Sequence, residues 1–133
     1  WAMVAAMVRP NAKAVSVSGD GGFFFSGVEL ATAVQMNLNT VHIVWQDNHH
    51  YDMVKFQEEM KYDGKSAGVK IADIDIVKFA EAAGAKGLRV DTPDQLDAVL
   101  DEAFATEGPV VVEVPVDYSH NYELMSQLIE SEI

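Results

Sequence analysis

Short apolar runs alternate along this chain with segments whose apolar residues have helical spacing. The runs at 12–19 (AKAVSVSG), 40–47 (TVHIVWQD) and 110–116 (VVVEVPV) are rich in Val or Ile, which is typical of strands buried on both faces. A shorter strand is predicted at 86–90 (KGLRV). Helices are predicted at 27–37, 51–62, 73–84 and 92–107, with a further one from residue 121 to the end.

The helix before the last strand has the clearest boundaries in the sequence. Thr92 stands at the N-cap position, Pro93 at the first helical position, and Gln95 completes the pattern of a capping box. Gly108 and Pro109 are typical of the end of a helix. We therefore expect a side-chain cap at Thr92.

Strands separated by helices predict a parallel sheet, because a crossover helix brings the next strand alongside in the same direction. The expected fold class is α/β, a mostly parallel sheet flanked by helices. A length of 133 residues suits a single domain over 1–133. Because the chain opens with Trp1 inside an apolar segment, we expect this domain to be an N-terminally truncated piece of a larger enzyme.

The charge and composition narrow the classes of partner. The chain has 21 acidic residues against 9 Lys and Arg, a net charge of −12, so neither nucleic acid nor an anionic membrane is expected to bind. No apolar run approaches the roughly 18 residues of a membrane-spanning helix. Cys is absent, which excludes disulfides and a cysteine nucleophile and fits a cytoplasmic protein.

A glycine-rich turn, SGDGG at 18–22, follows the first predicted strand. Such clusters mark turns or a close approach of the backbone to another group. A dinucleotide-binding motif would need glycine at position 24, where Phe24 stands. A P-loop would need Lys and then Ser or Thr where Val28 and Glu29 stand. The remaining interpretation makes Asp20 the functional residue, as a ligand of a divalent cation that in turn holds phosphate.

A second carboxylate is available for such a cation. Asp47 ends the second predicted strand, 27 positions after Asp20. Ligands of α/β sheets bind at the carboxyl ends of strands, and Mg²⁺ prefers carboxylate oxygens. We therefore predict that Asp20 and Asp47 hold one divalent cation. A zinc site at His49 and His50 is disfavoured, because adjacent residues at a strand end point apart and zinc needs three or four converging ligands.

These segments resemble a known family. An Asp flanked by glycines, followed about 27 residues later by Asp and Asn, is similar to the signature of thiamine diphosphate-dependent enzymes. The stretches at 15–34, 41–59 and 108–118 resemble the C-terminal cofactor-binding domain of acetolactate synthases, particularly the catabolic branch. The resemblance covers nearly the whole chain.

The resemblance implies thiamine diphosphate and Mg²⁺ as cofactors. Asp20 and Asp47 match the side-chain ligands of Mg²⁺, and His49 stands where a backbone carbonyl ligand is expected. Asp47 replaces the commoner Asn, and His50 stands where many relatives have glycine. No residue matches a catalytic group, since the activating glutamate of relatives lies in a separate domain. The residues that match the cofactor-binding positions are Gly19, Asp20, Gly21, Gly22, Asn48, Tyr51, Met53 and Val54.

The implied activity is the condensation of two pyruvates to 2-acetolactate with loss of CO₂, in acetoin and butanediol formation or branched-chain amino acid biosynthesis. The enzyme is expected to be a cytoplasmic homo-oligomer, and this chain alone is expected to be inactive. The alternative is a non-catalytic α/β module that binds a divalent metal through Asp20 and Asp47 in a regulatory role.

Overall fold

The computed structural model describes residues 1–47 and 50–131. The chain forms two compact units. The first, the sheet unit, comprises residues 1–46 and 74–115. The second, the helical unit, comprises residues 47–73 and 116 onwards.

The sheet unit contains four strands and five helices, and all of its residues are described. Short 3₁₀ turns at Gly27–Glu29 and Pro93–Gln95 precede two of the helices. The strands are β1 (Ala14–Gly19), β2 (Thr40–Gln46), β3 (Lys86–Arg89) and β4 (Val110–Pro115), and the helices are α1 (Ala2–Val8), α2 (Asp20–Phe24), α3 (Leu30–Gln35), α5 (Ile76–Ala82) and α6 (Leu96–Ala105). The helix α4 (Asp52–Lys61) belongs to the helical unit, as does α7 (Asn121–Ser131).

The strands form one sheet in the order β1-β2-β4-β3, and each neighbouring pair is parallel. The predicted α/β class is therefore confirmed, and the sheet is entirely parallel. In the β1–β2 pair the register runs to Gly19 opposite Trp45, and in the β2–β4 pair to Gln46 opposite Pro115. The carboxyl ends of β1, β2 and β4 therefore lie together at one edge of the sheet.

Apolar side chains cover the sheet on both faces. Val44 and Val111 belong to a core cluster with α1, α3 and α5. Val41, Val110 and neighbouring residues form a second cluster with α6. Alternate residues of the central strands thus enter opposite clusters, which explains the continuous Val-rich pattern of β2 and β4.

Helix α5 lies unusually close to β3. A Cβ added at Gly87 would stand 2.7 Å from the Val77 carbonyl oxygen and 3.0 Å from its Cα. These are backbone atoms, which cannot move aside as the end of a side chain can. Gly87 is therefore the residue that permits this approach of helix to strand.

The N-terminal caps of two helices, the one that begins after Thr92 and α5, are formed by different kinds of side chain. The capping box at Thr92 is wrong, because the Thr92 side chain makes no cap hydrogen bond. Gln95 Oε1 accepts instead from the Asp91 backbone N–H at 3.0 Å. Helix α5 is capped by Asp75, whose Oδ1 accepts from the Lys78 backbone N–H at 3.0 Å. Here a carboxylate satisfies one of the amides left open at a helix start.

The helical unit is tied together near the start of α4. The Tyr51 backbone N–H donates to the Val69 carbonyl at 2.8 Å, and His50 and Lys70 form an antiparallel bridge. The loop after α4 turns through positive φ at Gly64, among other residues. Across the residues that the structure describes, no helix has the length and apolarity to cross a membrane.

His42 joins β1 and β2 through its side chain. Its Nδ1 lies 2.7 Å from Ser16 Oγ, and its Nε2 lies 3.0 Å from Thr40 Oγ1. A neutral imidazole suits this arrangement, since one nitrogen donates and the other accepts. Burial lowers the pKa of His42 from its ordinary value of 6.5.

The lowered pKa of His42 predicts a loss of stability in mild acid. The unfolded chain binds the proton at a higher pH than the folded chain, so the His42 contribution is complete above about 6.5 and declines as the pH falls toward the folded pKa. Urea unfolding from pH 8 to pH 5 measures this slope. His42→Gln should reduce it, whereas His120→Gln, at an exposed position, should leave it unchanged. Equal slopes in His42→Gln and the unmodified chain would contradict the assignment.

Candidate functional site

Asp20 is a buried carboxylate at the carboxyl end of β1. It is the first residue of α2 and only 8% exposed. Its Oδ1 accepts from the Gly21 backbone N–H at 2.6 Å. Removing a carboxylate from water is costly unless hydrogen bonds or a cation compensate it. A buried acid at the end of a parallel strand is thus consistent with a role in binding.

Two of the three glycines around Asp20, Gly19 and Gly22, are exposed, whereas Gly21 is buried. Gly19 has φ −73° and ψ 165°, an extended conformation that any residue adopts. A Cβ at Gly19 would meet no atom within 4 Å, and one at Gly22 would meet only the Ser18 Cβ at 3.8 Å. Neither backbone strain nor internal packing requires glycine here. The missing side chains instead leave room against the main chain, as a diphosphate group needs.

The second predicted ligand follows the strand next to β1. Because β1 and β2 are paired and parallel, the chain leaves neighbouring strands at Asp20 and, one residue beyond Gln46, at Asp47. Asp47 belongs to the helical unit, where its Oδ2 accepts from the His50 backbone N–H at 2.9 Å.

Asp47, His50 and Asp52 form a group of potential metal ligands within the helical unit. One ligand atom from each lies within 4.8 Å of the others, and all three residues are half-buried. Asp52 was not among the residues predicted from the sequence, and His50 was disfavoured as a metal ligand because an extended strand end was expected there. The spacing Asp-x-x-His-x-Asp at the start of a helix is the signal that would have found this group.

Three further predicted residues lie at the start of α4. Tyr51 is the N-cap residue, and Met53 and Val54 are in the first turn. Their side chains are 37%, 39% and 47% exposed respectively, so they are accessible for contact with a ligand. Asn48 and His49, predicted to contact the cofactor and the metal, lie outside the described residues.

The donor set fits a hard divalent cation better than a soft one. Asp20 and Asp47 offer carboxylate oxygens, and Cys is absent from the chain. Oxygen ligands suit Mg²⁺, which also retains water and phosphate oxygens in its coordination sphere. The carboxylate oxygens that each unit offers therefore fit a hard divalent cation.

The three consecutive phenylalanines after the glycines have different environments. Phe23 is 8% exposed and Phe24 is half-buried; both rings pack edge-on against Phe79, with centroids 5.9 and 5.5 Å away. Phe25 is 87% exposed. The first two anchor α2 to α5, while the ring of the third lies at the surface.

Comparison with known proteins assigns the class to which this fold and site belong. Residues 1–114 match the family described as thiamine pyrophosphate enzyme, C-terminal TPP binding domain. The chain belongs to this family, which confirms the predicted cofactor, thiamine diphosphate, the same compound as TPP.

The particular relatives are acetolactate synthases. The chain is 54% identical to acetolactate synthase of Bacillus subtilis (strain 168) over 99% of this chain and 23% of that protein. It is 47% identical to the catabolic acetolactate synthase of Raoultella terrigena, over 100% of this chain and 23% of that protein. The chain thus spans about a quarter of the length of these relatives.

A solved structure with the same fold is that of benzoylformate decarboxylase from Polynucleobacter necessarius. It matches with a TM-score of 0.75 and 31% identity over 86% of this chain and 22% of that one. The parallel sheet and its helices are therefore those of a thiamine diphosphate enzyme domain.

Proposed function

We propose that this chain is the domain of a catabolic-type acetolactate synthase that binds Mg²⁺ and thiamine diphosphate. The observation that carries the proposal is the buried Asp20 carboxylate, near the exposed glycines Gly19 and Gly22, at the end of a strand whose parallel neighbour continues into Asp47. The identities of 54% and 47% to acetolactate synthases support the specific reaction, in which two pyruvates give 2-acetolactate and CO₂.

In this proposal each residue has a binding role. Asp20 and Asp47 provide carboxylate oxygens to Mg²⁺, and the carbonyl of His49 completes the protein ligands. Gly19, Gly21 and Gly22 present backbone to the diphosphate. The positions proposed to line the rest of the cofactor are Asn48, Tyr51, Met53 and Val54.

The charge of the chain makes the metal necessary for this binding. With a net charge of −12, the protein repels a bare diphosphate. A divalent cation between the carboxylates and the diphosphate converts that repulsion into attraction.

The chain contributes to the chemistry by positioning the cofactor and by holding the cation that neutralises its diphosphate. Thiamine diphosphate, when bound, supplies the electron sink that the loss of CO₂ from a 2-oxo acid requires. The residues of this chain hold its charged end in place. No group here is assigned to proton transfer, so the complete enzyme needs residues beyond these 133. We propose that it works as a homo-oligomer in the cytoplasm.

A second candidate function rests on the group formed by Asp47, His50 and Asp52. These ligand atoms, within 4.8 Å of one another, suit a regulatory divalent ion bound without the cofactor. Isothermal titration of Mg²⁺ with and without thiamine diphosphate separates the two functions. If Mg²⁺ and thiamine diphosphate each bind much more tightly in the presence of the other, the result supports the cofactor domain. If the affinity for Mg²⁺ is unaffected by thiamine diphosphate, the result supports the regulatory module.

Asp20→Ala should lower the Mg²⁺-dependent affinity for thiamine diphosphate by at least about 10-fold, since a metal ligand is lost. Asp47→Asn should have a smaller effect, because an amide oxygen still binds a hard cation. Asp101→Ala, which removes the same charge from the exposed side of α6, should leave the affinity unchanged. Titration calorimetry measures all three. An Asp20→Ala variant that binds as well as the unmodified chain would refute the assigned site.

The chain alone should form no 2-acetolactate from pyruvate, even with saturating Mg²⁺ and thiamine diphosphate, because activation of the cofactor needs a general acid or base that this chain does not offer. A colorimetric assay of the product, with a complete acetolactate synthase as positive control, tests this. Sustained turnover by the purified chain would show that a catalytic group has been overlooked.

The chain should also self-associate through its exposed aromatic surface. Phe25 is 87% exposed and Val28 is 73% exposed, and adjacent apolar residues of this kind favour association. Sedimentation equilibrium should show mass increasing with concentration, and Phe25→Ser should reduce the increase. Met60→Ser, which removes a 60% exposed apolar side chain from α4, serves as control. A monomer at all concentrations would contradict the prediction.

A further inference from the structure

The segment that carries Asp47 leaves the sheet unit after Gln46 and rejoins it at Ile74, and these two residues are hydrogen-bonded to each other. Residues 47–73 form an excursion from the sheet unit, which resumes at Ile74. Gln46, the last residue of β2, donates from Nε2 to the Ile74 carbonyl at 2.8 Å. One side-chain hydrogen bond therefore closes the base of the excursion.

Gln46 is placed to make that hydrogen bond strong. It is only 3% exposed, and it lies opposite Pro115 of β4 in the sheet. A hydrogen bond screened from water resists competition from solvent, and loss of one partner leaves the other unsatisfied. The hydrogen bond to Ile74 thus starts from the buried end of a central strand of the sheet.

Within the helical unit, the two arms of the excursion pair with each other in antiparallel directions. His50, four residues after Gln46, bridges Lys70, four residues before Ile74. The next pair along, Tyr51 and Val69, is joined by a backbone hydrogen bond of 2.8 Å. The two arms of the excursion, which Gln46 and Ile74 join at its base, are thus also paired at the N-cap residue of α4.

The return arm is also held to the sheet. Asp75, which follows Ile74, caps α5 and accepts from Arg89 Nη2 at 3.3 Å. The same nitrogen donates to Glu113 at 2.9 Å, and Glu113 is only 2% exposed. Ile74 is thus presented to Gln46 from a fixed position.

We propose that Gln46 is a positioning residue for the metal and cofactor site. Its hydrogen bond to Ile74 sets the register of the excursion, and with it the backbone of Asp47 and the first turn of α4. Gln46 does so without contacting the cation. This proposal rests on the proposed function, because Gln46 acts on cation binding only through the position of Asp47.

The test compares two buried polar residues of the same strand. Gln46→Met keeps the length of the side chain but removes the donor, while Thr40→Val removes a hydroxyl that is fully buried and bonded to His42. Both variants should lose stability. Only Gln46→Met should raise the Mg²⁺ concentration for half-maximal thiamine diphosphate binding, by about 10-fold, as loss of a supporting residue around a metal typically does.

Amide hydrogen exchange at Tyr51 provides a readout that needs no cofactor. Gln46→Met should accelerate exchange of this amide relative to those of β4, and Thr40→Val should not. Unchanged Tyr51 exchange in Gln46→Met would overturn the proposal, as would faster exchange with an unchanged Mg²⁺ requirement. If the unmodified chain shows no Mg²⁺-dependent binding, the proposed function fails, and the exchange result still decides whether Gln46 sets the register.

Discussion

The parallel pairing of β1 with β2 is the constraint on which the rest of this structure depends. Parallel strands end at the same edge of a sheet, so two loops distant in sequence begin side by side. The register from Ala14 opposite Thr40 to Gly19 opposite Trp45 fixes where each loop begins. Burial of β2 and β4 between two apolar clusters holds that register, because a slip by one residue would move valines out of their cluster. The position of the candidate site is thus a consequence of core packing.

Electrostatics explains why so acidic a chain still suits an anionic cofactor. The sheet unit buries Asp20 and Glu113, and the two have different surroundings. Glu113 is neutralised within the protein by Arg89 at 2.9 Å, and that hydrogen bond, acting with the carboxylate charge, raises the pKa of the guanidinium. Asp20 accepts a hydrogen bond from its own neighbouring amide. Glu113 thus stabilises the fold at a strand pair, whereas Asp20 lies at the carboxyl end of a strand.

The sequence predicted the layers of the fold because Val-rich runs and helical spacing are strong signals over whole segments. It did not predict α1, since an apolar run such as AMVAAMV has no polar face to reveal its period. It placed the capping box at Thr92 from residue types alone, although the choice of amide depends on the local backbone, which begins with a 3₁₀ turn. For the candidate site, the glycines and acids were visible as a motif. Gln46 was not, because its partner Ile74 is 28 residues away and only the folded chain shows that they meet.

The contact between α5 and β3 has a bearing on how such a domain can diverge. At Gly87 helix and strand touch through their backbones, which leaves no margin for a longer side chain or a shifted helix. Insertions and deletions between these two elements would have to preserve that contact, so they should be rare over evolutionary time. Variation in length is more easily absorbed in the excursion after β2, whose loop beyond α4 is exposed. Natural variants of this domain are therefore expected to change size in the excursion after β2, while the helix that packs on β3 stays the same length.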